Sequence, residues 1–382
     1  MAKHIIILGG GFGGLAAAHA LRKGLGAENK VTLVDKQPLF FMGLTKLWVM
    51  NGTRAVGDGP GNRILLNQKG INFIEGEVAS INSSGKVVQI GKQKLSFDYL
   101  IIALGADYST ASTRGFSKYA RDLYTESGCA EIRDELRSIT SGSITILICD
   151  LPFKCPPAPY EAAFLVDDLL RNRGVRGHVS VRILTPEPHP LPILGPEAGK
   201  RLTDLLSEKE IEYFPSERVN EIRPGIVLTG AGKQFSHTLL LAVPKHVVPD
   251  VLRKGGLADD SGWIPVEPRT LATKHPDMYA IGDCAGTRNP KGQLLPRAGA
   301  IAEEQGKVVA ANLIHEITGE GSTQEFQGRG VCFMETGGGM ASPLRANFFS
   351  EPEPTWEFAP PSREGFMEKR RFLEDRMKAW FR

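Results

Sequence analysis

The chain has 382 residues, enough for two or three domains with sizeable cores. A hydrophobic fraction of 41% and a charged fraction of 23% are ordinary for a globular protein, and a net charge of +3 is too small to argue for nucleic acid. No apolar run reaches the roughly 18 residues of a transmembrane helix, so none is expected.

The first predicted element is the run HIIILGGGFGGLAAAHALRK, a strand, a tight turn and a helix. The apolar N-terminus therefore reads as a strand rather than a signal peptide. Gly9, Gly11 and Gly14 give G-x-G-x-x-G in that context. Small residues there let the backbone approach a pyrophosphate, whose charge the helix N-terminus favours. KVTLVDK follows as a second strand. It ends in Asp35, about 20 residues on, where a ribose hydroxyl acceptor is expected. Lys36 beside it and Val78 further on join the expected cofactor-binding set.

Two later strands refine the cofactor. DYLIIALGADY ends in Ala103-x-Gly105, and PDMYAIGDCAG ends in Gly282-Asp283. Both resemble motifs of flavoproteins with two dinucleotide-binding domains. The resemblance implies FAD, with the Asp283 carboxylate accepting from hydroxyls of the flavin tail. It implies that the helix AGAIAEEQGKVVAANLI directs its N-terminus at the flavin. The expected fold class is α/β, with two Rossmann-like dinucleotide-binding domains and a small C-terminal domain. The FAD domain is split over 1–108 and 258–318. A second Rossmann-like domain occupies 109–257, where helices and strands alternate, and 319–382 form the C-terminal part.

The second domain should repeat the glycine turn. After the strand SITILIC it instead reads CDLPFKCPPAPYE. Pro156, Pro157 and Pro159 lack amide donors and fix φ, which disfavours a nicotinamide dinucleotide there. Such a turn holds Cys155 rigidly. Lys154 and the start of the next helix are expected to lower its thiol pKa. From chemistry alone, a redox thiol and a small buried residue fit this turn equally. The other cysteines are Cys129, Cys149, Cys284 and Cys332. No CxxC or HExxH spacing occurs, so no metal site is expected. A cytoplasmic protein with one or two special thiols fits this usage.

PFKCPPAPYEAAFLVDDLL closely resembles the loop of the sulfide dehydrogenase group of flavoproteins. This group comprises the sulfide:quinone oxidoreductases and the flavoprotein subunit of flavocytochrome c sulfide dehydrogenase. GGGFGGLAAA, ALGAD, TPEPHPLPILGPEAG, VPKHVVPDVL, AIGDCAG and GVCFMETGGG agree, so the similarity spans nearly the whole chain. It implies that Cys155 and Cys332 lie beside the flavin ring and form a redox disulfide or polysulfur bridge. It also implies that sulfide attacks this bridge and that Cys332 is the thiolate meeting the flavin. Glu161 is the candidate for proton handling, although an acid at a helix start also fits charge compensation.

Some members carry a third essential cysteine. Cys129 falls a few residues past that place, within a predicted helix, and reads as structural. Met42 stands near where flavocytochrome members attach FAD covalently, so FAD is expected to be non-covalent. Arg297, in Pro296-Arg297, replaces a lysine common in quinone-linked members. It keeps the charge with a different geometry. Sulfide is thus the expected substrate, with quinone as acceptor. The alternatives are a cytochrome acceptor, a type II NADH:quinone dehydrogenase and a flavin-bearing persulfide sensor. A homo-oligomer stays open. The tail SREGFMEKRRFLEDRMKAWFR places Phe366, Leu373, Met377, Trp380 and Phe381 on one helical face. Lys369, Arg370, Arg371, Arg376 and Lys378 surround it. Such a helix suits a membrane interface, making the protein peripheral on a membrane surface, or equally a docking helix.

Overall fold

The structure, a computed structural model, describes residues 2–382. The first sheet has five parallel strands in the order Met278–Ala280, Tyr99–Ile102, His4–Leu8, Lys30–Asp35, Asn72–Glu75. Ile5 to Leu8 are all 0% exposed, because helices and a meander cover both faces of the sheet. The strand Met278–Ala280 joins only after the chain has built a second unit.

That second unit repeats the plan. Its sheet runs Arg121–Asp122, Leu239–Val243, Gly142–Ile148, Val179–Leu184, Ile211–Phe214, again all parallel. Each sheet carries a three-stranded antiparallel meander, Val78 to Ser96 in the first unit and Val219 to Ser236 in the second. The two chain crossings pair with each other, Asp107–Ser109 against Lys245–Val247. This is the doubly wound α/β architecture expected from the alternating pattern.

The helices Phe12–Gly24 and Gly299–Thr318 pack at very short range. A Cβ at Gly306 would lie 2.3 Å from the Gly13 carbonyl oxygen, so only glycine permits this approach. Both helix N-termini are thereby aimed at one cavity.

Residues Arg329–Gly337, Met340–Asn347 and Thr355–Phe358 form an antiparallel sheet, followed by the helix Arg363–Phe381. The terminal aromatics of this helix are in the core and not at a surface. Trp380 is 4% exposed, with ring centroids 5.4 Å from Phe12 and 5.7 Å from Phe40, and Phe381 lies 5.6 Å from Phe40. The helix therefore docks on the first unit. This corrects the membrane-interface reading for those two residues. No helix among the described residues is long and apolar enough to cross a membrane.

Candidate active site

The N-terminal turn folds around glycine contacts. A Cβ at Gly14 would lie 1.9 Å from the Gly9 carbonyl oxygen, so Gly14 sets the closeness of helix to turn. It does not line the cavity, whereas Gly9, Gly11 and Phe12 do. The cavity holds about 520 Å³. The sequence-derived residues Asp35, Lys36, Val78, Ala103 and Gly105 line it, as do Gly282, Asp283 and Arg297. Cys155, Glu161 and Cys332 share it.

At the turn, Asp35 accepts from the Gly10 N–H at 2.7 Å and the Gln37 N–H at 2.9 Å. Arg63, 5% exposed, donates to the Gly10 carbonyl and lies 3.5 Å from Asp35. Arg63 carries no local sequence signal, because nothing ties it to a turn so far upstream.

These residues fit FAD. A Cβ at Gly11 or Gly105 would meet nothing within 4 Å, so backbone alone faces the cavity there. Arg297 is 4% exposed, with its guanidinium 3.6 Å from the Trp263 ring centroid and its Nε donating to the Asp283 carbonyl. Its Nη2 has no protein partner, a buried donor that an oxygen-rich ligand in this cavity would satisfy. Burial lowers the Arg297 pKa to about 10.

Cys155 adopts φ +51°, a left-handed conformation uncommon for a residue with a side chain. The turn over-determines it. The Cys155 N–H donates to the Arg297 carbonyl at 2.6 Å, and its own carbonyl accepts from Ala158 at 2.8 Å. The Tyr124 hydroxyl donates to the Lys154 carbonyl at 2.7 Å. Strain held in this way at a reactive group is a known device of functional sites. Cys332 reaches the same cavity from the strand Arg329–Gly337. Both are free thiols here.

The Cys155 thiol pKa moves opposite to expectation. Burial pushes Cys155 up to about 11, Glu161 adds to the rise, and Lys369 and Lys46 pull against it. Burial raises Cys332 as well, followed by the charges of Cys155 and Glu161. Desolvation outweighs the helix start and the neighbouring cations. Cys129, Cys149 and Cys284 are 0%, 3% and 0% exposed, and none of them lines the cavity. The Cys129 thiol donates to the Leu123 carbonyl. Met42 is buried in the core at 3% exposure.

Glu161, 2% exposed in the first turn of the helix Ala158–Asn172, has a partner the sequence hid. Lys369 of the C-terminal helix is 1% exposed and donates to Glu161, and to Glu335 at 2.7 Å. Trp48 Nε1 also donates to Glu335. Lys369 thus belongs to a buried charge network and not to a solvated basic rim. Burial raises the Glu161 carboxyl to about 7, with Lys369 opposing and Glu335 adding.

In the second unit, Glu187 lies three residues past the strand Val179–Leu184, near the position that Asp35 takes at the end of its own strand. There the Tyr160 hydroxyl, on a fully buried side chain, donates to Glu187 at 2.7 Å. Glu187 is 3% exposed and does not line the cavity, unlike Asp35. Pro157 caps the helix, and Pro159 in its first turn leaves it short of anion-binding donors.

Known proteins agree with this architecture. The chain is 23% identical over 376 residues to the mitochondrial sulfide:quinone oxidoreductase of Mus musculus, covering 93% of this chain and 80% of that one. It is 25% identical over 353 residues to a type II NADH:quinone oxidoreductase of Staphylococcus aureus, covering 85% of each. The sulfide:quinone oxidoreductase structure from Aquifex aeolicus superposes with a TM-score of 0.87 at 22% identity, covering 98% of this chain and 90% of that one. A sequence model of the pyridine nucleotide-disulphide oxidoreductases matches residues 3–146 and 161–306, and the chain belongs to that family.

Proposed function

We propose that this protein oxidises hydrosulfide through a Cys155–Cys332 redox pair and passes the electron pair, by way of non-covalently held FAD, to a quinone. One observation carries the reading. Two cysteines distant in sequence open onto a single cavity that also has a dinucleotide turn, an Asp35 acceptor and the Gly282-Asp283 segment. In the oxidised pair, hydrosulfide attacks the Cys155 sulfur. The disulfide bond breaks, Cys155 carries a persulfide, and Cys332 leaves as a thiolate. A second hydrosulfide attacking the persulfide releases a polysulfide. Glu161, titrating near neutrality in the same cavity, takes up the proton released from the persulfide.

The FAD would be held by the Gly9–Gly11 turn, Asp35, Lys36, Val78, Ala103, Gly105, Gly282, Asp283 and Arg297, and it supplies a two-electron acceptor. Gly14 supports it by packing beneath the turn. Non-covalent binding is favoured because no cysteine other than Cys155 and Cys332 lines the cavity among the described residues. FAD binding is assigned to 1–108 and 258–318, the second Rossmann-like unit to 109–257, and the tail unit to 319–382. Val331, Phe333 and Phe372 are apolar lining residues of the cavity, which suits a quinone ring. The outward face of the last helix, with exposed Met367, Arg370, Arg371 and Lys378, suits a peripheral membrane contact.

The test is anaerobic addition of sulfide to the yellow holoprotein. Flavin absorbance should fall, and a short-chain quinone should restore it. Restoration by cytochrome c alone would move the acceptor to a cytochrome. Bleaching by NADH and not by sulfide would refute the proposal.

A further inference from the structure

We infer that Lys46 and Lys154 form an anion site beside Cys155, which takes hydrosulfide, a small monoanion, before it reacts. The inference rests on the sulfide reading above for its occupant and on geometry for its existence.

Lys46 opens the short helix Lys46–Met50, and its ammonium donates to the Tyr124 carbonyl. Lys154 directly precedes Cys155, with its ammonium 4.7 Å from the Tyr108 ring centroid. Both line the cavity together with Leu123, Tyr124 and Cys155. Neither has a carboxylate within 4.0 Å among the described residues. Asp122, whose carboxyl feels both lysines, is turned to the Tyr124 N–H, from which it accepts at 2.7 Å.

Two half-buried ammonium groups without a carboxylate in direct contact carry a cost that more distant acids offset only in part. Burial, and then Lys154, lower Lys46 to about 8, with Cys129, Asp122 and Cys155 opposing. Burial also pulls Lys154 down, but Tyr108 and Asp283 outweigh it. The neighbouring His246 adds no charge, because burial and Lys154 push it down to about 3. The two lysines therefore add to the positive field that Arg297 and, on the far side of Cys155, Lys369 also supply. An anion held by the two offsets their cost within the cavity that Cys155 also lines.

The test compares two alkylating reagents that differ in charge. Reduced holoprotein is treated with iodoacetate or with iodoacetamide, and labelling of the Cys155 peptide is timed by mass spectrometry. Both reagents attack the same thiolate, so a changed thiol pKa cancels in the ratio of their rates. The anionic reagent should be favoured about tenfold relative to its ratio on a free small thiol. Lys46→Met and Lys154→Met should each bring the ratio toward the free-thiol value, while Lys46→Arg and Lys154→Arg should retain it. An unchanged ratio in both methionine variants overturns the site, as does loss of FAD from them without a change in ratio. This arm contains no sulfide, so it stands or falls separately from the proposed reaction. The occupant is tested by the sulfide concentration that half-saturates flavin bleaching, which should rise about tenfold in each methionine variant. A fallen ratio with no such rise would reject hydrosulfide as the ligand.

Discussion

Replacing Lys369 with methionine tests the buried charge network most severely. The lysine is 1% exposed, between Glu161 at 2% and Glu335 at 5%. Removing it leaves two carboxylates facing each other without a cation. Breaking a buried pair in this way costs about 3–5 kcal/mol. The cost depends on pH, and its sign follows from proton uptake. Glu161 in the folded protein is raised from 4.5 to about 7, mainly by burial. Between those values the folded state holds a proton that the unfolded chain has released, so stability falls as pH rises through that window. Lys369 opposes this rise in the wild type, so without it the Glu161 carboxyl climbs further. The Lys369→Met variant should therefore lose about 1.4 kcal/mol per pH unit relative to wild type above neutrality. Lys369 itself is raised above 10.5 in the fold, and its own contribution is fully present across the assay range. Urea midpoints of the holoprotein at pH 5.5, 6.5, 7.5 and 8.5 measure the difference. Adding Glu161→Gln should restore most of the lost stability at high pH and flatten the slope. An equal loss at every pH, or no recovery in the double variant, would refute the network.

Trp380→Ala should cost about 3–5 kcal/mol by emptying the space against Phe12 and Phe40, read as a lower denaturation midpoint with earlier flavin release. A loss of less than about 1 kcal/mol would return the tail to the surface. Arg297→Met should weaken FAD retention by about 1.5–3 kcal/mol, the worth of a charged hydrogen bond, measured as flavin fluorescence released on dilution. Unchanged retention would show that the unpaired Nη2 does not meet the cofactor.

The glycine turn, Asp35 and the Gly282-Asp283 segment were legible because each is local, a strand end followed by a helix with the required small or acidic residues. Cys155 was legible as a rigidly held thiol, but its convergence with Cys332 came only from resemblance. The thiol pKa direction was misjudged because Lys154 is adjacent in sequence while desolvation has no sequence signature. Lys369 was taken for a solvated cation, although the helical period places it on the same face as Phe366, Leu373 and Trp380. A charge on an apolar face signals a buried acid partner. Glu335, Trp48, Arg63 and Tyr124 gave no local signal, since their roles depend on contacts between distant segments. Gly14 was grouped with the ligand-facing glycines, and its packing role follows only from the closeness of helix to turn.

The central claim is that the Cys155 and Cys332 sulfurs meet. Mild oxidation of the holoprotein, alkylation under denaturing conditions and non-reducing peptide mapping measure this directly. One cross-linked pair should join the Cys155 and Cys332 peptides, directly or through added sulfur, with Cys129, Cys149 and Cys284 recovered as alkylated thiols. Recovery of Cys155 and Cys332 as separate alkylated thiols, or a bridge from either to another cysteine, would contradict it.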